Sequence, residues 1–234
     1  GPFCMSKTAI DGPSGAGKSS IARAAAKKLG MVYIDTGAMY RAAGLFALEN
    51  GVSISDNPEG VKALLPKLDI KLGYENGEQK IFLSGTDVSD KIRTPEISRA
   101  ASEISAIPEV RKKLVDLQRR LAADIDVIMD GRDIGTVVFP DAEVKIFLTA
   151  SAENRAERRF RELRDRGVDA DYRIILEEIK TRDHNDSTRA ISPLKQAEDA
   201  VLLDNTGFTL EESVNAVMKL IDERLAGRPD YARA

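Results

Sequence analysis

An α/β fold, a parallel sheet flanked by helices, is the class this sequence predicts, and three observations predict it. Short β-branched runs alternate with segments whose apolar residues recur at helical spacing. A glycine-rich turn joins the first run to the first helical segment, and later runs bring the expected parallel strands to five. The bulk properties agree. The chain has 234 residues, 42% hydrophobic and 31% charged, with a net charge of -3. That is enough apolar material for a packed core and too balanced a charge for disorder. The length favours one core domain carrying subdomains over two full-sized domains.

In chain order, Lys7-Thr8-Ala9-Ile10 reads as the first strand and Gly12 to Gly17 as a glycine-rich turn. From Lys18 to Leu29, residues Ile21, Ala22, Ala25, Ala26 and Leu29 fall on one helical face, and Gly30 supplies the stop. Met31 to Ile34 is the second strand and Thr36 to Asn50 the second helix. Between Ile70 and Val88 the rhythm breaks. Asn76-Gly77 and Ser84-Gly85 punctuate alternating apolar residues such as Ile81 and Leu83, which predicts a small antiparallel insert. Thr94-Pro95-Glu96 and Pro108-Glu109 each open a helix with proline at its first position. The runs Asp126 to Asp130, Val144 to Thr149 and Ala200 to Asp204 complete the sheet, and Gly227 to Ala234 is expected to fray.

Composition excludes several classes. The single cysteine, Cys4, can close no intrachain disulfide and makes no zinc site. It also precedes Met5, so Gly1-Pro2-Phe3-Cys4 reads as a tag remnant, leaving a native chain without cysteine. No apolar run approaches the ~20 residues of a membrane span and no charged-then-apolar leader opens the sequence, so a cytoplasmic location is expected. Near-neutral charge argues against a holder of nucleic acid polymers, and with no evident exposed apolar stripe a monomer is expected.

Chemistry enters directly after the first strand. Gly12-Pro13-Ser14-Gly15-Ala16-Gly17-Lys18-Ser19 satisfies the pattern G-x-x-x-x-G-K-[ST]. Glycines let successive backbone N–H groups curl around phosphate oxygens, and the helix N-terminus adds positive potential behind them. Lys18 would reach the β- and γ-phosphates of ATP, and the Ser19 hydroxyl would coordinate Mg²⁺. Asp11 and Ser20 flank the loop and join the ATP-binding candidates. A phosphate loop serves switches, motors and kinases alike. The chain is short for a motor or transporter and lacks the N-K-x-D pattern for guanine. A small-molecule phosphotransferase remains, with a non-catalytic ATP-binding regulator as the alternative from another class.

Three further clusters bear on a second substrate. Asp35-Thr36-Gly37-Ala38-Met39-Tyr40-Arg41 follows the second strand, and Asp130-Gly131-Arg132-Asp133 follows the third. Both place acid and arginine at the carboxyl edge of a parallel sheet, where ligands of open α/β sheets sit. Asp35 or Thr36 could equally cap a helix, with Tyr40 in the core. Asp130 also fits the strand-end acid that orients Mg²⁺ water in phosphate-loop proteins, or could cap a turn. From Arg155 to Arg189 stand nine arginines against one lysine, Lys180. Arg155, Arg158, Arg159 and Arg166 share one helix side, and Gly167 would let a short lid turn back. The planar guanidinium suits a transferring phosphoryl group, although partners such as Glu157, Glu162 and Asp165 would occupy many of the nine. Four or five are expected to serve the site, and Arg155, Arg158, Arg159, Arg182 and Arg189 are the catalytic candidates beside Lys18 and Arg132. His184, the only histidine, is assigned to the surface.

Together with Arg182-Asp-x-x-Asp186-x-x-Arg189 and the run Asp130 to Pro140, these motifs resemble bacterial cytidylate kinases, within the nucleoside monophosphate kinase group. The resemblance runs from about Lys7 to Leu225. It implies a core of residues 5–40, 112–152 and 190–226, a monophosphate-binding subdomain at 41–111 enlarged by the insert, and a lid at 153–189. It implies that ATP is the donor and CMP or dCMP the acceptor. It further implies that Thr36, Tyr40, Arg41, Ser102, Arg111, Arg132, Asp133, Arg182, Asp186 and Arg189 contact the pyrimidine monophosphate. Ser102, Arg132 and Asp133 would read the base edge, Arg41 and Arg189 hold the acceptor phosphate, and Tyr40, Arg182 and Asp186 surround the sugar. Thr36 stands where many relatives carry serine, which keeps the hydroxyl. Ser19-Ser20 replaces the Gly-Thr of some relatives and leaves open which hydroxyl serves the metal.

Overall fold

The computed structural model describes residues 5–228. The expected tag remnant at 1–4 and positions 229–234 of the expected tail lie outside them. The chain divides into two compact units, one formed by the chain up to Tyr33 and from Asp124 onward, the other by Ile34–Ala123.

The larger sheet has five strands, β1 (Lys7–Asp11), β2 (Val32–Asp35), β6 (Val127–Gly131), β7 (Val144–Thr149) and β8 (Val201–Asp204), in the order β2-β6-β1-β7-β8; all belong to the first unit except Ile34 and Asp35 of β2, which fall in the second. The central strand β1 runs parallel to both β6 and β7, and β7 runs parallel to β8. Strands sealed on both faces need continuous apolar runs, and β6 is buried at every position. Register decides what the carboxyl edge carries. Ile10 pairs with Asp130 and Asp11 with Gly131, so the glycine-rich turn after β1 and the acid–arginine segment after β6 leave the sheet side by side.

Helices α1 (Lys18–Leu29) and α8 (Leu210–Leu225) cover this sheet through Ile21, Ala22, Ala25, Val217 and Ile221, which pack with Ile10, Ile128, Ile146 and Leu148. Gly30 ends α1 at φ 68, its N–H bonded to the Ala26 carbonyl. Thr209 and Glu212 open α8 with a reciprocal capping box. A helical hairpin of α6 (Ala152–Asp165) and α7 (Tyr172–Thr188) projects the arginine-rich segment. Gly167 turns the chain at φ +72, and Ala156, Ile175 and Ile179 form a small core of the hairpin's own.

The second unit contains α2 (Thr36–Glu49), α3 (Pro58–Leu64), α4 (Pro95–Ile104), α5 (Pro108–Ala122) and a three-stranded antiparallel sheet. Its strands are β3 (Ile70–Glu75), β4 (Glu78–Leu83) and β5 (Thr86–Asp87). The insert is therefore the antiparallel element its turn signals predict. Asn76 and Gly77 both take positive φ, 52 and 78, as a two-residue hairpin turn requires. Pro95 and Pro108 open α4 and α5 as expected, with the Thr94 hydroxyl capping the first. Ile70, Ile81 and Leu83 of the insert share one apolar cluster with Met39, Ala43, Ile97 and Ile104 of α2 and α4, so the small sheet is part of this unit's core. Among the described residues no helix is long and apolar enough to cross a membrane.

Candidate active site

Donors from elsewhere in the unit take the carbonyls of the loop from Gly12 to Gly17. Lys18 Nζ donates to the Pro13 carbonyl at 2.9 Å, Arg155 Nη1 to Ser14 at 3.1 Å, and Asn205 Nδ2 to Ala16 at 3.2 Å, with Arg158 Nη1 at 3.5 Å from the same oxygen. The C=O and N–H of a trans peptide point in opposite directions, so fixing one fixes the other. These contacts therefore pre-orient the amides that a phosphate needs. Gly15 and Gly17 take φ +77 and +81, and no side chain caps the start of α1, whose first N–H groups remain available to an anion. Ser19 and Ser20 are both exposed there.

Arg155 is more deeply engaged than a waiting catalytic group. Its Nε donates to the Ala150 carbonyl at 2.9 Å, and its fork meets Asp183 of α7 at 3.0 and 2.6 Å. One buried guanidinium thus joins the end of β7, the phosphate loop and both helices of the hairpin. Arg158 likewise grips Asn205, through Nη1 to Oδ1 at 3.2 Å and Nη2 to the carbonyl at 2.7 Å. Asn205, 1% exposed, also donates to the Ser213 hydroxyl. Arg159, Arg161 and Arg166 pair with Glu162, Glu157 and Glu162 on the exposed side, and Arg164 lies over the Phe160 ring. His184 is exposed.

At the end of β6, Arg132 Nε donates to Asp186 Oδ2 at 3.1 Å, and Arg182 and Arg189 approach the same carboxylate at 3.9 Å. Three guanidinium groups thus share one buried acid, which fixes their heads relative to one another. Arg189 also donates twice to the Ser192 carbonyl, at 2.8 and 2.6 Å. Asp130 accepts from Tyr33 Oη at 2.9 Å. Asp11, an ATP-binding candidate from its position, has its carboxylate turned to the backbone N–H groups of Ile134 and Gly135, each at 2.8 Å. It thereby fixes the π-helical turn Ile134–Val138 that follows Arg132 and the buried Asp133.

The electrostatics follow from burial. Desolvation pushes the Asp11 carboxyl up to about 6, against its two N–H bonds, with Asp133 adding repulsion. Desolvation and the nearby Arg132 pull the Lys18 ammonium down to about 7, against Asp130, Asp186 and Asp11.

In the second unit, Asp35 caps α2, accepting from Ala38 N at 3.2 Å, and pairs with Arg41 at 3.5 Å. Thr36 is buried at the first helical position, and Tyr40 is 7% exposed within the apolar cluster. The Arg111 guanidinium lies 5.0 Å from the Tyr40 ring centroid and donates to the Ser105 carbonyl at 3.1 Å. The Ser105 hydroxyl in turn donates to the Ser102 carbonyl at 2.8 Å. Arg111, Tyr40 and the last turn of α4 are therefore one connected group. Asn205 and Gln79, which orient these elements, carry no local motif that sequence reasoning could pick out, and Asp183, although it lies inside the Arg182-to-Arg189 motif, is assigned no role by it.

A parallel sheet with a phosphate loop at the end of its central strand, and arginines gathered at the neighbouring strand end, defines a P-loop phosphotransferase of small-molecule type. Similarity to known proteins narrows the class. The cytidylate kinase family model matches residues 8–223. A cytidylate kinase from Carboxydothermus hydrogenoformans is 53% identical over 218 residues, 93% of this chain and 98% of that one. One from Lactobacillus gasseri is 49% identical over 220 residues, 94% and 95% of the two chains. A crystal structure of an uncharacterized protein from Eubacterium ventriosum is similar in fold, with a TM-score of 0.50 at 10% identity, covering 93% of this chain and 99% of that one. The chain belongs to the cytidylate kinase family.

Proposed function

We propose that this chain transfers the γ-phosphoryl group of ATP to CMP, and to dCMP, giving the diphosphate and ADP. The observation that carries the reading is a phosphate loop after β1 and, after the neighbouring strand β6, Arg132 gathered with Arg182 of α7 and Arg189 at its end around Asp186, all within a single unit. Gly12 to Ser20 would cradle the ATP phosphates. Arg132, Asp133, Arg182, Asp186 and Arg189 are assigned to the monophosphate, as are Thr36, Tyr40, Arg41, Ser102 and Arg111.

The acceptor oxygen of a monophosphate is already anionic near neutral pH, so the reaction needs no general base; it needs alignment and charge neutralisation. Lys18 would leave the Pro13 carbonyl for the phosphoryl oxygens. Arg155 and Arg158 hold the loop's amides in place rather than reaching the phosphate themselves, a task in which half-buried Arg159, paired with Glu162, has no share. Mg²⁺ would add Lewis-acid stabilisation of the phosphate charges. The oxygen donors offered for it, the hydroxyl of Ser19 or Ser20 and the Asp130 carboxylate, are the hard ligands this ion takes. A monomer in the cytoplasm, engaging neither membrane nor nucleic acid polymer, completes the proposal.

An ADP-release assay across nucleoside monophosphates and shikimate tests it. CMP and dCMP are expected to give the highest kcat/KM. Preference for AMP, GMP or shikimate would replace the acceptor, and ATP binding without acceptor-dependent ADP would point to a regulator. In the same assay Arg132→Ala is expected to raise the KM for CMP at least tenfold, on the order of the 2 kcal/mol carried by a charged hydrogen-bond donor, and to leave ATP affinity within about twofold.

A further inference from the structure

The antiparallel insert has packing reasons to exist, but one of its residues reaches beyond packing. Gln79 on β4 addresses the backbone of Asp35 with both ends of its side-chain amide. Its Oε1 accepts from Asp35 N at 3.0 Å, and its Nε2 donates to the Asp35 carbonyl at 3.5 Å. A carboxamide is a copy of the peptide group, so this pair of contacts adds one strand-like rung to the last residue of β2.

Asp35 is where that rung matters. It is 6% exposed, and its carboxylate both caps α2 through Ala38 N and pairs with Arg41. A shift of its backbone would move the first turns of α2, including Thr36, Tyr40 and Arg41. Gln79 is itself anchored. Its strand pairs with β3 from Ile70–Leu83 through Glu75–Glu78, and Ile81 and Leu83 on either side of Phe82 are buried in the unit's core. A fixed strand therefore holds the entry of α2 through a polar contact that an apolar residue of equal size could not make.

We propose that Gln79 is a positioning residue for the acceptor monophosphate, acting through Asp35 and Arg41, and that the insert thereby tunes acceptor affinity. The proposal rests on the reading of Thr36, Tyr40 and Arg41 as acceptor contacts. Gln79→Leu keeps the volume and removes both hydrogen bonds. It is expected to raise the KM for CMP about three- to tenfold, the equivalent of one neutral hydrogen bond, with the KM for ATP unchanged. In an Arg41→Ala background the same change should have little further effect on CMP, because the arm it positions is gone.

An unchanged KM for CMP in Gln79→Leu, a parallel rise in both KM values, or full additivity with Arg41→Ala would each overturn the proposal. Should Gln79→Leu fail to fold, Gln79→Ala, which removes the amide without placing a branched side chain there, carries the same expectations. Failure of the acceptor assignment is distinguishable, because then the parent enzyme would show no CMP-dependent ADP release or Arg41→Ala alone would leave the KM for CMP unchanged.

Discussion

Lys18→Met is expected to lower turnover by about two to three orders of magnitude, the cost of removing a charged donor from a transferring phosphoryl group, while making the ligand-free protein more stable at neutral pH. The opposition of the two effects follows from where the ammonium sits. Lys18 is buried at the first position of α1 near Arg132, and burial together with that guanidinium pulls its pKa from 10.5 to about 7. In the unfolded chain the amine keeps its ordinary value. Below pH 7 both states are protonated and the folded state bears the whole cost of the buried charge. Between about 7 and 10.5 the unfolded chain binds more protons than the folded one, so stability rises with pH across that window. The advantage of Lys18→Met should therefore be largest below pH 7, on the order of 1–3 kcal/mol, and shrink towards pH 10. Thermal unfolding of parent and variant from pH 6 to 10, without nucleotide, measures it. A variant less stable than the parent at pH 6 would show that the Pro13 contact outweighs the desolvation. Near-parental turnover would remove Lys18 from the chemistry.

Gly12→Ala is expected to cost about 3 kcal/mol or more of folding stability and with it most of the activity. A β-carbon at Gly12 would lie 2.0 Å from the Leu148 carbonyl oxygen and 3.0 Å from its carbon. The obstacle is backbone, on the strand that pairs with β1 up to Asp11–Phe147, so it cannot rotate aside as a side chain would. Relief would require opening the ladder at the point from which the phosphate loop departs. Gly30→Ala is the control. Gly30 has φ +68, but a β-carbon there would meet no atom within 4 Å, so its substitution carries only left-handed strain, about 1 kcal/mol. Chemical denaturation of the two variants separates steric exclusion from conformational strain. Equal losses would mean that the approach of β7 to Gly12 is not rigid.

The candidate site was legible in unequal parts. The phosphate loop is contiguous, so its whole chemical logic is written in Gly12 to Ser19 and could be read without a fold. The acid–arginine segments after β2 and β6 could be placed at one edge because parallel strands following one another in an α/β chain share a carboxyl edge. The arginine-rich stretch was conspicuous in composition, but its members' tasks were not. Only the pairing of α6 with α7 gives Asp183 to Arg155, and only the return of the chain after β8 brings Asn205 against Ala16, 189 positions away in sequence. Adjacency groups Asp11 with the ATP site, whereas its carboxylate serves N–H groups 123 and 124 positions on.

Local chemistry was thus settled by the amino-acid order: strand and helix periods, proline at helix starts, glycine at turns, and the phosphate loop, each specified within a few neighbouring residues. Packing decided which polar group serves which partner. A buried donor or acceptor must be satisfied by whatever the folded chain brings within about 3 Å, and that distance is set by strand register and helix pairing rather than by sequence proximity.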